Sequence, residues 1–355
     1  MDLFDPIQVG RYRLPNRIVM AAMTRNRSPD EIPGDLNVEY YGQRAGAGLI
    51  VAESTAISEQ GLGWRDSPGI YTPSMVAGWK RVTDAVHAKG GHTFLQLWHC
   101  GRCTHVDWRP GNTHPVAPSA IRSIGGMTMA GTWTQHGEPR GLTLEEIPSV
   151  VAQYKQATLN ALAAGFDGVE VHAGNGYLID QFLQDASNRR ADRYGGSIEN
   201  RCRILWEVLD AVVAVAGADR VGIHISPTNV HHGISDSDPE KLFAVVTDGL
   251  NRYGLAYLNV VEGATDPTEK EIPFDWARLR KRFHGVYIAN NNYDLAKARA
   301  AVQSGRADMV SFGRLYIANP DLVERFRKGA PLNPLQGPTI IAPGAAGYTD
   351  YPSLR

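Results

Sequence analysis

Three polar side chains that could act on a carbonyl compound lie within six residues of one another: His172, Asn175 and Tyr177. The imidazole and the amide each carry an N–H donor, and two such donors can converge on one oxygen and stabilise negative charge on it. The phenol, whose ordinary pKa is about 10, is a weak acid that can still protonate an enolate. His172 or Tyr177 alone would more often be a packed core residue. Together the three predict an active site for an activated carbonyl compound.

This cluster follows a run that predicts a buried strand. Apolar residues stand on both sides of Glu170, after a glycine-bounded turn at 165–168. If the strand is parallel to its neighbours, its C-terminal end is where α/β proteins place their active sites. Further along, Ser197 with Asn200 three residues later is close to a capping box and predicts the start of a helix over residues 198–215.

Strand-like and helix-like runs alternate along the whole chain. Eight runs are mostly rich in Val, Ile and Leu and largely apolar, as parallel strands buried on both faces are: residues 18–23, 49–54, 92–99, 168–173, 221–226, 255–261, 286–290 and 308–313. Eight helical segments accompany them, at residues 36–45, 74–89, 144–164, 198–215, 238–253, 275–283, 294–304 and 321–328. Eight strand–helix units predict an α/β fold, a (β/α)8 TIM barrel, with residues 1–355 as a single domain.

Two segments do not fit this repeat. Residues 7–14 alternate around a glycine and predict an N-terminal hairpin that closes the opposite end of the barrel. Residues 100–143, after the third strand, are rich in Gly, Pro, Trp and His and lack a sustained period. A loop of that length in a compact domain is functional or partly disordered, and its position predicts a lid or a pocket wall over the barrel mouth.

Polar residues also stand at the ends of the other predicted strands. They include Thr24, Ser54, Gln96, His99, His224 and the asparagines at 290–292. TIM barrels commonly bind a phosphate with the loops after strands seven and eight. Asn291 and Asn292 tolerate a left-handed backbone, and Arg314, which follows Gly313, can add a charge-assisted contact. The alternative is that Arg314 is an ordinary surface residue and the asparagines form an ordinary turn.

Composition limits the possible classes of function. The chain has 355 residues, 43% of them hydrophobic, with 36 basic and 37 acidic side chains. That balance gives no electrostatic footprint for nucleic acid or an anionic membrane. No run approaches the ~18 apolar residues of a spanning helix, and no signal sequence is visible at the N-terminus. We therefore expect a cytoplasmic protein without nucleic-acid or membrane partners, and a homo-oligomer is compatible with the sequence.

Cys100 and Cys103 form a C-x-x-C pair, which could suggest a metal or a redox dithiol. The third cysteine, Cys202, is far away in a predicted helix, and no second pair exists. An intracellular chain without disulfides is the simpler interpretation, and no metal site is expected.

The cluster belongs to a longer series of motifs that resembles the Old Yellow Enzyme family of flavin-dependent ene-reductases. After H-x-x-N-x-Y come LIDQFL and NRRADRYGGSIENR. Other matching stretches are NRIVMAAMTRNR, LIVAES, QLWHCGR, PVAPSAI, FGRLYIANPDL and GYTDYP. The resemblance covers nearly the whole chain at the spacing that the family uses.

The resemblance implies a non-covalently bound FMN and NAD(P)H as reductant. It implies that Gln96 binds the pyrimidine edge of the flavin, that the Thr24 hydroxyl forms a hydrogen bond with flavin O4, and that Arg314 binds the FMN phosphate. Cofactor contacts are implied for Ala21, Ala22, Met23, Thr24, Ser54, Gln96, His224, Asn291, Asn292, Gly313 and Arg314. Substrate contacts are implied for Thr24, Trp64, His172 and Asn175.

The implied activity is reduction of the activated C=C of an α,β-unsaturated carbonyl compound by a ping-pong mechanism. Hydride passes from NAD(P)H to flavin N5 and then to the substrate β-carbon, while Tyr177 delivers a proton to the α-carbon. His172 and Asn175 hold the carbonyl oxygen. Two alternatives stay open: the same barrel as a flavin-dependent dehydrogenase or isomerase, and a non-catalytic flavin-binding protein.

The chain departs from the family pattern at several positions. His224 stands where an Arg facing the flavin N1/C2 edge is usual, and an ordinary histidine pKa of about 6.5 predicts pH-dependent flavin chemistry between about pH 6 and 8. Ala22 replaces a common Pro, and Asn291 a common Gly. Trp64 and Ile341 stand where many or some members carry Tyr, which suggests apolar or cyclic substrates.

Overall fold

Fourteen strands, eleven α-helices and seven short 3-10 helices form the regular structure of residues 1–129, 132–265, 268 and 271–354, the part of the chain that a computed structural model describes. The strands are β1 (Ile7–Val9), β2 (Tyr12–Leu14), β3 (Ile18–Met20), β4 (Leu49–Ala56), β5 (Thr93–Trp98), β6 (Val116–Ala117), β7 (Gly126–Met129), β8 (Thr132–Gln135), β9 (Arg140–Gly141), β10 (Gly168–Ala173), β11 (Val221–Ile225), β12 (Tyr257–Val261), β13 (Tyr287–Asn290) and β14 (Met309–Phe312). The helices are α1 (Asp35–Gln43), α2 (Pro73–His87), α3 (Ile147–Ala163), α4 (Leu178–Leu183), α5 (Ile198–Arg201), α6 (Arg203–Ala216), α7 (Pro239–Leu250), α8 (Trp276–Arg282), α9 (Leu295–Gln303), α10 (Arg314–Ala318) and α11 (Leu322–Lys328).

Eight of these strands close into a parallel barrel. Their order around it is β3, β4, β5, β10, β11, β12, β13 and β14, and β14 pairs with β3 to complete the ring. Every residue of β4, β5, β10 and β11 is buried, which is why these strands are rich in apolar residues and show no alternation of apolar and polar positions. The predicted (β/α)8 barrel is confirmed, and each strand ends within three residues of its predicted limits. That residues 1–355 form one domain stays a prediction.

The N-terminal hairpin closes one end of this barrel, as predicted. β1 and β2 are antiparallel, with Ile7 opposite Leu14. Val9 and Leu14 pack in one buried cluster with barrel-strand residues that include Val19, Leu49, Phe94, Tyr257 and Met309. The turn requires glycine, because Gly10 has a φ of +51° and a Cβ there would lie 1.8 Å from the Asp219 carbonyl oxygen. The opposite end of the barrel is therefore the one left for a site.

The helices follow the predicted order with two departures. The segment predicted as one helix over 198–215 breaks at Cys202 into α5 and α6. Its start is capped as predicted, since the Ser197 side chain accepts a hydrogen bond from the Asn200 N–H at 3.3 Å. The sequence pattern does not reveal α4 and α10, because six and five residues are too few to show a helical period.

The long excursion after β5 contains two small sheets rather than one open loop. β6 pairs in parallel with β9, and β7 forms a hairpin with β8; residues 130 and 131 of the predicted excursion lie outside the described residues. Arg102 attaches this segment to the turn after β11, donating to the carbonyls of His232 and Gly233 at 3.2 and 3.1 Å. The excursion is thereby fixed beside the C-terminal ends of the barrel strands.

Candidate active site

The C-terminal ends of the barrel strands surround a cavity of about 630 Å³. It is lined by fourteen of the fifteen residues that the sequence analysis assigns to catalysis, cofactor or substrate: Ala21, Ala22, Met23, Thr24, Ser54, Gln96, His172, Asn175, Tyr177, His224, Asn291, Asn292, Gly313 and Arg314. Residues that the sequence analysis does not single out also line it, among them Asn229, Asn259, Thr265, Tyr293, Leu315 and Ile340. The fold therefore brings the predicted residues together in one place.

His172 is a neutral imidazole whose proton position is set by the backbone. It lies on β10, and its Nδ1 accepts a hydrogen bond from the Gly174 N–H at 3.4 Å. Burial holds its pKa well below the ordinary value, and the neighbouring His224 lowers it further. Since Nδ1 is an acceptor, the single proton of the neutral ring lies on Nε2. His172 can therefore donate one N–H at the strand end.

Asn175 is held in place by a left-handed turn and by its neighbours. Its φ is +55°, a conformation that asparagine adopts more readily than most residues. Its backbone N–H donates to Ser226 Oγ at 2.6 Å. Its side-chain oxygen accepts from Asn229 Nδ2 at 2.9 Å, and its Nδ2 lies 3.2 Å from His224 Nε2. One hydrogen of that amide remains for a further acceptor.

Tyr177 lies at the N-terminus of α4, next to His172. The two rings are 5.0 Å apart in an edge-to-face arrangement, and Trp98 packs against the other side of the phenol at 5.1 Å. Burial raises the pKa of Tyr177 well above its ordinary value, and a hydrogen bond with Trp64 opposes that rise only in part. The phenol therefore stays protonated at neutral pH and is available as a proton donor.

His224 corrects one expectation from the sequence. Burial lowers its pKa to about 4, so the ordinary value of about 6.5 assumed for it is wrong for the folded chain. Asn175 Nδ2 can only donate, so His224 Nε2 accepts and the ring proton lies on Nδ1. Nδ1 is buried and has no partner among the described residues. The ring is therefore neutral, rather than a cation that titrates between pH 6 and 8.

Gln96 is oriented by a buried polar network that the sequence analysis does not identify. Its Oε1 accepts from Ser54 Oγ, and its Nε2 donates to Glu170 Oε1 at 2.7 Å. Asn259 Nδ2 donates to the second carboxyl oxygen of Glu170 at 3.1 Å. Burial raises the pKa of Glu170 to about 7, and these hydrogen bonds oppose that rise. A carboxyl group between two valines of a buried strand is the one sequence signal for this network.

The predicted phosphate end lies on the far side of the cavity. Asn291 and Asn292 have φ values of +101° and +54°, so both adopt the positive φ that the sequence analysis anticipates. The Asn291 amide donates to the backbone carbonyls of Glu262 and Ala264 at 2.9 and 2.6 Å, which ties this turn to the previous loop. Arg314 is exposed, and its guanidinium donates to Asn292 Oδ1 at 3.4 Å. The guanidinium therefore stands at the rim with donors to spare.

The residues of this cavity fit FMN on two observations. The unpartnered Nδ1 of His224 is a buried donor of the kind that the carbonyl edge of a flavin ring requires, and burying it without an acceptor is costly. Close packing at Gly313 leaves no room for a side chain without movement, since a Cβ there would lie 3.3 Å from Met23 Sδ. Polar ring-edge partners at one end and a guanidinium at the other match a planar ring with a phosphate tail.

Three sequence expectations meet a different arrangement. Trp64 does not line the cavity. Ile341 is 52% exposed, and the neighbouring Ile340 lines the cavity in its place. No described residue of the excursion 100–143 lines the cavity either. The excursion forms a second layer because its His136 packs on His232, which in turn packs on Tyr177.

A closed parallel barrel with such a cavity at the C-terminal ends of its strands is typical of the class of TIM-barrel enzymes. A family model described as the NADH:flavin oxidoreductase / NADH oxidase family matches residues 2–333. The chain therefore belongs to this family, that of Old Yellow Enzyme, as its motifs predict.

Three comparisons show how similar the relatives are. The rice (Oryza sativa subsp. japonica) protein 12-oxophytodienoate reductase 7 is 44% identical over 99% of this chain and 94% of its own length. Morphinone reductase in complex with tetrahydroNAD is 47% identical with a TM-score of 0.94, covering 100% of this chain and 98% of that one. The Old Yellow Enzyme homologue from Zymomonas mobilis is 42% identical with a TM-score of 0.97, and each chain covers 100% of the other.

These findings confirm the predicted class of activity. The chain is an FMN-dependent NAD(P)H oxidoreductase of the ene-reductase type, which reduces activated C=C bonds. Among the described residues, no helix is long and apolar enough to cross a membrane.

Proposed function

We propose that this chain reduces the C=C bond of α,β-unsaturated carbonyl compounds with NAD(P)H by a ping-pong mechanism in which Tyr177 donates the proton. The observation that carries the proposal is the edge-to-face pair of His172 and Tyr177, 5.0 Å apart, at the wall of the cavity. Both groups are held in the protonation state that the reaction requires, a neutral imidazole and a protonated phenol.

FMN, when bound, would take a hydride from NAD(P)H and supply it to the substrate. Gln96, Thr24 and His224 would hold the ring, and Arg314 with the turn of Asn291 would hold the phosphate. The network of Ser54, Glu170 and Asn259 fixes the Gln96 amide without the cofactor. Cofactor binding therefore costs little conformational entropy of the Gln96 side chain.

His172 and Asn175 would bind the carbonyl oxygen of the substrate. The His172 Nε2–H and the second hydrogen of the Asn175 amide are two neutral donors fixed on the same strand end. Negative charge grows on the carbonyl oxygen when a nucleophile adds at the β-carbon, so these donors bind the transition state more strongly than the ground state. A protonated histidine is not required for this role.

Tyr177 would complete the reaction by protonating the α-carbon of the enolate. Its elevated pKa makes the phenol a weak acid, but it also ensures that the proton is present throughout the physiological range. A positioned acid of this kind contributes about 10²- to 10⁴-fold to a rate.

The substrate class that we propose is an apolar or cyclic enone. Leu315, Ile317 and Ile340 add apolar surface to the cavity wall. Two relatives are named for the reduction of 12-oxophytodienoate and morphinone. A cytoplasmic location and a homo-oligomeric state remain predictions from the sequence.

Anaerobic stopped-flow kinetics test the proposal. NADPH or NADH should bleach the yellow colour of the bound flavin, and 2-cyclohexenone should restore it without oxygen, with parallel lines in a steady-state double-reciprocal plot. Bleaching without recovery by any enone would favour a dehydrogenase or isomerase, and saturated ketones under air would then give unsaturated products. Absence of bleaching by both nucleotides would indicate a non-catalytic flavin-binding protein.

A further inference from the structure

A second group of reactive side chains lies outside the cavity. Cys103, His136 and His232 place one ligand atom each within 4.8 Å of the others. They come from three distant parts of the chain: the segment after β5, the segment after β8, and the turn after β11. None of the three lines the cavity described above. Their convergence is therefore not explained by the reductase site.

Both imidazoles are buried without partners. His136 is 0% and His232 5% exposed. All four of their ring nitrogens lack a hydrogen-bond partner among the described residues. A neutral imidazole carries one N–H and one lone pair, and burying either without a partner forfeits its bond to water. Two such rings side by side, 5.1 Å between centroids, point to a ligand that accepts lone pairs.

The charges around the cluster suit a ligand set that includes a thiolate. Binding of a metal ion to a cysteine displaces the thiol proton to solvent. His231, Arg102, His105 and Arg122 are nearby cationic or titratable groups that oppose positive charge, and the Cys103 thiolate would offset part of that opposition.

The backbone is fitted closely around the two rings. A Cβ on Gly125 would lie 2.6 Å from His232 Nδ1 and 3.1 Å from His136 Cε1. Only a glycine permits this approach, so the loop before β7 closes over the imidazoles rather than leaving them to solvent.

We propose that Cys103, His136 and His232 bind one Zn²⁺ ion. A thiolate and two imidazoles are typical zinc ligands, and sites with three protein ligands complete the tetrahedron with water. The ion would join the excursion to the turn after β11. It would also brace the loop that carries Tyr177, since Gln181 Nε2 donates both to Cys103 Sγ at 3.6 Å and to the Gly176 carbonyl at 2.7 Å, and the His232 ring lies 5.6 Å from Tyr177. The C-x-x-C motif is not the ligand pair, because Cys100 Sγ is directed at the Leu62 carbonyl oxygen at 3.1 Å.

Metal analysis of the flavin-loaded protein provides the first test. The protein is treated with a chelator, incubated with Zn²⁺ and desalted, and one zinc per chain is expected. Cys103→Ser, His136→Asn and His232→Asn should each lose this zinc, while Cys100→Ser and Cys202→Ser, which alter the other buried cysteines, should keep it. The flavin spectrum confirms that each variant is folded. Zinc retained by Cys103→Ser would overturn the proposal.

A second test needs no variant and is therefore independent of misfolding. Zinc-edge X-ray absorption of the wild-type protein should show one sulfur at about 2.3 Å and nitrogens at about 2.0 Å. Substitution by Co²⁺ should add a thiolate charge-transfer band and bands at longer wavelength than the flavin absorption. A shell of nitrogen and oxygen alone, or no stoichiometric zinc, would show that the three side chains are only packed together.

Discussion

Asn175 Nδ2 donates a hydrogen bond to His224 Nε2 across 3.2 Å. This contact connects the loop that presents the proposed substrate donors to the strand that faces the proposed flavin edge. It assigns the His224 proton to Nδ1, where the ring lacks another partner among the described residues. The side chain at 224 therefore acts as a neutral donor, and its chemistry differs from that of a guanidinium.

His224 variants should separate these two kinds of donor. Since its pKa is lowered to about 4, His224 is already unprotonated throughout pH 6 to 8, and lowering the pH within that window adds no charge. The rate of flavin reduction by NADPH should show no ionisation of this group there. His224→Gln, another neutral donor, should keep the shape of the profile, while His224→Arg should change its level. A wild-type slope that both variants abolish would contradict this assignment.

Tyr177→Phe should affect one half-reaction only. The phenol is proposed to act after the substrate binds, so flavin reduction by NADPH should be unchanged. Reoxidation by 2-cyclohexenone should slow by about 10²- to 10⁴-fold. Tyr293→Phe is the matched control, because Tyr293 lines the same cavity but donates to Glu262 Oε2 at 2.8 Å. Equal slowing of both half-reactions by Tyr177→Phe would argue for a structural role instead.

Glu170→Gln should weaken cofactor binding indirectly. This expectation assumes no contact between Glu170 and the cofactor. The carboxyl group accepts hydrogen bonds from Gln96 and Asn259, and an amide in its place turns one acceptor into a donor. Leaving a buried donor unpaired costs about 1–3 kcal/mol of unfolding free energy. Because the Gln96 amide is then no longer held in one orientation, FMN affinity should fall as well.

Flavin fluorescence quenching during titration of the apoprotein measures the effect of Glu170→Gln. Glu53→Gln provides the control, since Glu53 is also a buried carboxyl of a barrel strand but accepts from the Arg25 N–H and Tyr41. A comparable loss in both variants would indicate general destabilisation.

The barrel could be predicted from sequence because burial on both faces leaves a local signature. Eight continuous apolar runs predict eight strands, and the hairpin shows its alternation within eight residues. Short helices cannot be predicted from such patterns, as α4 and α10 show. The N-cap at Ser197 could be predicted because its hydrogen-bond partner, Asn200, lies in the first turn of the same helix.

Much of the site depends on contacts that have no local pattern. Glu170 and Asn259 are 89 residues apart in the chain, and Cys103 and His232 are joined only by the fold. The pKa of His224 could not be assigned correctly either, because burial rather than residue type determines it. Sequence motifs identified which residues converge, whereas their protonation and orientation depend on tertiary packing.

Arg314→Ala should change the affinity of the protein for FMN but not its affinity for riboflavin. If the guanidinium binds the phosphate, the variant should lose affinity for FMN by about 10- to 100-fold, as expected for a hydrogen bond to a charged group. Riboflavin lacks the phosphate, and its affinity should stay the same. Calorimetric titration of the apoprotein with each flavin measures both values. Parallel losses for the two ligands would show that Arg314 only supports the loop at Thr265, whose carbonyl it contacts at 3.0 Å.

Leu14→Ala should destabilise the fold and leave the site intact. Leu14 is 1% exposed in the cluster that closes the N-terminal end of the barrel, away from the cavity at the other end. Truncating such a side chain costs about 2–5 kcal/mol of unfolding free energy, because the cavity left behind refills only in part. Urea denaturation measures this loss, and the FMN dissociation constant should not change. Arg13→Ala, at the exposed neighbouring position of the same strand, should have little effect on unfolding. A weakened FMN affinity in Leu14→Ala would mean that the two ends of the barrel are coupled through its core.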